Sequence, residues 1–171
     1  MTRAVFDCVI LLQAAGRPSG PAGACLQAVR EGRLELVISP DILAEVRDVL
    51  TRPKTLRKFP ALTPEAVDVF LADLAGHATM LDAVPKVFPL LRDPKDEPYI
   101  DLAVAAQARY LVSRDNDLLD LMGDAAFRQQ FPDLTVIDPV TLLRELAPEP
   151  EPEPEQGPAE DEGQGGGIGG G

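Results

Sequence analysis

Four short apolar runs, each too brief for a helix and separated from the next by helical patterns, limit what this chain can fold into. They are Ala4-Val5-Phe6, Leu34-Glu35-Leu36-Val37-Ile38, Tyr110-Leu111-Val112 and Leu134-Thr135-Val136-Ile137. Runs of this length and character read as buried strands. The segments between them carry helix-starting chemistry. Ser39-Pro40, Thr63-Pro64-Glu65 and Asp138-Pro139 each place a capping side chain before a proline at the first helical position. Leu43, Val46, Val49 and Leu50 recur at helical spacing, and Tyr99, Ile100, Ala103, Val104 and Ala106 form a second apolar helix surface. Short apolar strands alternating with helices predict an α/β fold with a central parallel sheet flanked by helices. In such sheets ligands gather at the carboxyl ends of the strands.

The 171 residues suit one domain. The domain is expected over residues 1–146. Residues 147–171 read as an extended, disordered tail, opening with alternating Pro and Glu from Pro148 and ending in a glycine run. Charge divides the same way. The formal net charge is −12, and seven acids with no base lie beyond Leu146, leaving the domain near −5. Bulk attraction to nucleic acid is therefore excluded, and any such chemistry must rest on a local site. Two cysteines and one histidine exclude a disulfide framework and a Cys/His zinc site, and weigh against catalysis built on a Ser-His or Cys-His pair. No apolar run is long enough to span a membrane, and Asp7 comes too early for a signal peptide, so a cytoplasmic location is expected.

The strand-end rule points to carboxylates. Asp7 directly follows the first run and Asp115 the third. Glu45 lies in the second turn of the helix that Ser39 caps, and Asp96 precedes the helix start marked by Pro98. All four are expected to face one rim of the sheet. With no histidine or thiolate beside them they form a hard-oxygen set suited to Mg²⁺ or Mn²⁺. Any one acid in this position has a plainer explanation, because Asp and Glu also stabilise helix N-termini. Asp7 stands apart, since apolar residues flank it on both sides and a lone acid is costly to bury unless it is paired or metal-bound.

Ala4-Val5-Phe6-Asp7-Cys8, Leu36 to Val46, Arg92-Asp93-Pro94-Lys95-Asp96 and Tyr110 to Leu119 resemble, in order and separation, the successive signatures of the PIN-domain family, most closely its toxin-component branch. The resemblance covers about residues 3–146. It implies a small parallel sheet wrapped by helices, metal-dependent cleavage of RNA, an antitoxin protein as partner and a homodimer. Carried over residue by residue, it implies that Asp7, Glu45, Asp96 and Asp115 line a Mg²⁺ or Mn²⁺ site, that Asp93 and Asp117 assist, and that Ser113 holds a metal-bound water. The chain departs from the family at Val9, where an asparagine commonly stands.

The remaining polar residues have plainer readings. Cys8 and Cys25 are expected to be small buried residues, His77 a surface or capping group, and Asp101 a solvated residue of its helix. Arg52, Lys54, Arg57 and Lys58 form the densest basic patch, an exposed face and the candidate for contact with an RNA backbone. The rival to a ribonuclease is a PIN-fold module that binds RNA or protein without cleaving. A phosphatase-like aspartyl nucleophile would want a second acid at the position of Val9.

Overall fold

A computed structural model describes residues 1–87 and 94–148. Asp93 and residues 149–171, with nearly all of the acidic tail, lie outside the described residues. Five parallel strands form one sheet: β1 (Arg3–Phe6), β2 (Glu35–Ile38), β3 (Thr79–Met80), β4 (Tyr110–Val112) and β5 (Thr135–Ile137). Their order is β3-β2-β1-β4-β5. The chain winds outward from β1 to β2 and β3, then returns to place β4 on the other side of β1. The β1–β4 boundary is thus the point where the winding reverses, the place at the carboxyl edge where open parallel sheets form their ligand crevice.

Helices α1 (Cys8–Gly16), α2 (Pro21–Arg30), α3 (Pro40–Leu50), α4 (Pro53–Lys58) and α5 (Pro64–His77) lie between β1 and β3. Helix α6 (Glu97–Ala105) precedes β4, α7 (Asn116–Leu119) and α8 (Ala125–Gln130) precede β5, and α9 (Pro139–Leu146) follows it. The three expected caps are present. Ser39 Oγ accepts the Ile42 N–H at 3.2 Å, Thr63 Oγ1 that of Ala66 at 3.2 Å, and Asp138 Oδ2 those of Val140 and Thr141. Each satisfies donors that a helix start leaves without partners. Phe6, Ile10, Leu36, Ile38, Leu50, Leu74, Ile100, Leu111 and Phe127 are almost fully buried and join the sheet to its helices. Gly23 is fixed by close approach, since a Cβ there would stand 2.0 Å from the Pro18 carbonyl oxygen.

The four expected strands form with ends shifted by at most one residue. Strand β3 was not expected: two exposed residues on the sheet edge carry no apolar signature. On α3 the buried face is Ile42, Val46 and Leu50, with Leu43 and Val49 only half-buried. The run holding Lys54, Arg57 and Lys58 is itself a helix, α4. Asp101 corrects the reading of a solvated residue. It is 5% exposed, and its Oδ1 accepts the Val87 N–H at 2.9 Å. The backbone at Val87 lies against this face, and the carboxylate satisfies its N–H. His77 is exposed and bonds the Asp73 carbonyl through Nδ1. Among the described residues no helix is long and apolar enough to cross a membrane.

Candidate active site

Strand register assembles the centre of the site. Phe6 pairs with Val112, so Asp7 and Ser113 leave the sheet side by side. The Asp7 N–H donates to the Val112 carbonyl at 3.1 Å, and the Ser113 N–H to that of Ile137 at 3.0 Å. Both side chains are buried, Asp7 at 4% and Ser113 at 0% exposure. The Ser113 hydroxyl donates to Asp7 Oδ2, and Asp7 Oδ1 caps α1 by accepting the Ile10 N–H at 2.9 Å. Ser113 Oγ also accepts the Asp115 N–H at 3.0 Å, while Asp115 Oδ1 caps α7 by accepting the Asp117 N–H at 2.8 Å. The capping explanation thus holds for both aspartates, yet each carboxylate has about four lone-pair positions and capping uses few of them.

Electrostatics set Asp7 apart. Burial pushes its pKa from 3.8 to about 6. Hydrogen bonds from Ser113 and from the Ile10 and Val9 N–H groups pull it down, and the nearby Asp115 charge pushes it up. Glu45 joins from α3, where Tyr99 donates its hydroxyl to Glu45 Oε2 at 2.9 Å. Cys8 lies among them. Burial, followed by the charges of Glu45 and Asp7, raises its thiol to about 11, so it is a packed thiol and not a nucleophile at neutral pH. Burial likewise raises Cys25 to about 11. The Tyr99 hydroxyl is pushed up by burial and by the surrounding Cys8, Glu45 and Asp7.

The predicted residues therefore separate. Asp7, Ser113 and Asp115 are joined directly, and Asp117 is tied to Asp115 through its backbone. Glu45 is linked through Tyr99 and the shared field around Cys8. Asp96 is half-buried at the head of α6, one turn before Tyr99, and makes no capping bond to that helix. Among the described residues no three His, Cys, Asp or Glu side chains converge into a ready metal cage. Tyr99 was read only as an apolar surface residue, although its place three residues after Asp96 sets both on one helix face. In the basic patch, Arg52 is held by Asp48 at 2.7 Å, while Lys54, Arg57 and Lys58 are exposed. Val9, although flanked by apolar residues, is 50% exposed beside Asp7.

The PIN domain family matches residues 3–117, and the chain belongs to that family. Its members are generally nucleases, which supports a hydrolase. No curated protein sequence matches the chain. Among solved structures, one that is similar is the crystal structure of VapBC2 from Rickettsia felis bound to a DNA fragment from their promoter. The identity is 13% and the TM-score 0.50, with 80% of this chain and 98% of that chain covered. At that identity the likeness concerns the fold.

Proposed function

We propose that this PIN-domain protein is a metal-dependent endoribonuclease and the toxin component of a toxin–antitoxin pair. The carrying observation is the pairing of Asp7 and Asp115 at the β1–β4 crevice, with Asp7 buried and protonating about two pH units above an ordinary carboxyl. Two adjacent carboxylates, one of them buried, repel each other, and a divalent cation relieves that repulsion.

The donor set fits Mg²⁺ or Mn²⁺. Mg²⁺ keeps several waters and needs only one or two carboxylates together with substrate phosphates, so a closed protein cage is unnecessary. Asp7 and Asp115 would hold the ion, with Glu45 and Asp96 completing its surroundings and Asp93 and Asp117 assisting. When bound, such an ion lowers the pKa of a water and offsets phosphodiester charge. The chain's own residues supply the rest. Ser113 and the Ile10 N–H fix the Asp7 carboxylate through both oxygens. Tyr99 holds Glu45 facing the crevice. Asp7 itself is almost fully buried, which strengthens each charge interaction it makes.

The structural relative is a VapBC2 assembly on DNA from its promoter, and that arrangement supports an antitoxin protein as partner here. A second copy of the chain is a further partner that the family implies. The alternative is a weak or non-cleaving RNA- or protein-binding module, favoured by Val9, whose side chain offers no hydrogen bond beside Asp7. Incubating the purified chain with mixed RNA in Mn²⁺, Mg²⁺ or EDTA tests the reading. Cleavage abolished by EDTA and by Asp7→Asn is the expected result. Intact RNA under every condition assigns the chain to the binding class.

A further inference from the structure

A second site lies along α1 from the carboxylates, and its chemistry is opposite. A cavity of about 90 Å³ is lined by Gln13, Arg17, Lys58, Phe59 and Arg114, together with the start of α2 at Gly20–Ala22. That volume exceeds what one water occupies and admits a phosphate-sized group. Arg3, Arg30, Arg33, Arg47 and Arg52 each pair with an acid. Arg17, Lys58 and Arg114 have no ion-pair partner among the described residues, as is true of several other exposed bases, and what sets these three apart is that they line one cavity. Three exposed cations around one cavity give it a local positive potential on a chain that is acidic overall.

The walls hold the cations in place. Arg17 and Lys58 lie 5.6 and 5.5 Å from the centre of the Phe59 ring, within cation–π range. The ring packs on Gly16, where a Cβ would stand 2.8–2.9 Å from three ring atoms. Helix α2 opens at Gly20 without a side-chain cap, leaving first-turn N–H groups facing this end. Gln13 Oε1 is enclosed and has no hydrogen-bond partner among the described residues. Exchanging the two ends of that amide presents donors to an anion instead.

We propose that this cavity is a phosphate-binding subsite for single-stranded RNA, holding a backbone phosphate next to the one at the carboxylate crevice. The choice of RNA as the polymer rests on the nuclease reading above. Gln13 is about 9 Å along α1 from Asp7 at 1.5 Å per residue, and Arg114 stands in sequence between Ser113 and Asp115. A strand crossing the crevice therefore meets the cations within a nucleotide or two. The subsite regroups the basic residues: Lys58 belongs with Arg17 and Arg114, and Arg52 does not.

The test is equilibrium binding of a fluorescein-labelled single-stranded RNA to the full chain in EDTA, titrated against salt. Each lost phosphate contact lowers the slope of log K against log salt by about 0.7. Arg17→Gln and Lys58→Gln should each lower it by about that amount, with melting temperatures unchanged because both side chains are exposed. Arg128→Gln on α8 removes the same charge outside the cavity and should leave the slope alone. Slopes equal to the parent's, an equal drop in all three variants, or no measurable RNA binding would each overturn the subsite. So would variants that keep the RNA slope but lose affinity for a polyglutamate peptide, which would assign the cavity to an acidic protein segment. Cleavage in Mn²⁺ is read separately, so a chain with the expected slopes that never cuts RNA refutes the nuclease and leaves the subsite standing.

Discussion

Ser113 donates its hydroxyl to Asp7 across 106 residues of sequence, and the same oxygen receives the Asp115 backbone N–H. One small side chain thus sets the distance between two carboxylates that neither helix alone could fix. Ser113→Ala removes both bonds inside a fully buried pocket. A hydrogen bond to a charged group contributes about 1.5–3 kcal/mol, and a neutral one about 1. The variant should lose about 2 kcal/mol above pH 6, where Asp7 is ionised, and less at pH 4.5. Urea unfolding at both values measures this, and an equal loss at both would detach Ser113 from the charge on Asp7.

Asp7 also makes metal-free stability depend on pH in a defined direction. Burial lifts its folded pKa to about 6 from an ordinary 3.8, with the Asp115 charge adding to the rise and Ser113 and the Ile10 N–H opposing it; the neighbouring Cys8 and Tyr99 stay neutral in this range. The folded state therefore binds this proton more tightly than the unfolded state. Its contribution is fully present below about pH 4 and is lost as pH rises through 6, a change of about 3 kcal/mol. Asp7→Asn, which keeps the capping oxygen for Ile10, should flatten this slope and raise the metal-free melting temperature at pH 7. Mn²⁺ should raise the parent's melting temperature and leave that of Asp7→Asn unmoved. A variant less stable than its parent at pH 7 would make Asp7 a structural anchor.

Whether a residue's place in the fold was legible in the sequence depended on how far away its partner lies. Asp7 was legible because the apolar residues that bury it are its own neighbours in the chain. Asp115 was legible because a strand ends three residues before it. Tyr99 was not, because its hydroxyl matters only through Glu45, 54 residues away, and an aromatic residue among apolar neighbours reads as core. Asp101 was misread because the segment that covers it lies outside its own helix. The Arg17, Lys58 and Arg114 grouping joins α1, α4 and the end of β4, and no local pattern links residues brought together by the winding of a sheet.

Tyr99 separates positioning from chemistry. Tyr99→Phe keeps the ring in the core and removes the hydroxyl that bonds Glu45 and also meets the Cys8 thiol. It should lower kcat several-fold with little change in KM, and fold as the parent does. Glu45→Gln, which can still accept from Tyr99, should lose more activity if the Glu45 charge serves the ion. Equal kcat for Tyr99→Phe and the parent would remove Glu45 positioning from the reading.

Val9, where the chain departs from the family pattern, is 50% exposed and so is not a core residue. Asparagine at this position would stand in solvent beside Asp7, so Val9→Asn should change stability by no more than about 0.5 kcal/mol. An added hydrogen bond to a charged group, acting mainly in the transition state, is worth about one to two powers of ten in rate. Single-turnover cleavage in Mn²⁺ should therefore quicken by at least several-fold. An unchanged rate at unchanged stability would show that the side chain at this position does not reach the carboxylates.

The acidic tail offers the last test, one of range and screening. Seven uncompensated acids follow Leu146 on a domain proposed to receive a polyanion. Their repulsion extends about 10 Å at 0.1 M salt and about 3 Å at 1 M. A chain ending at Leu146 keeps every residue of the buried core and should melt with the full chain. It should bind RNA more tightly at 50 mM salt, and the difference should close by 0.5 M. Because the removed groups are anions, the gain must shrink with salt. A gain that persists at high salt would instead mean that the tail occupies the RNA surface through contacts other than charge.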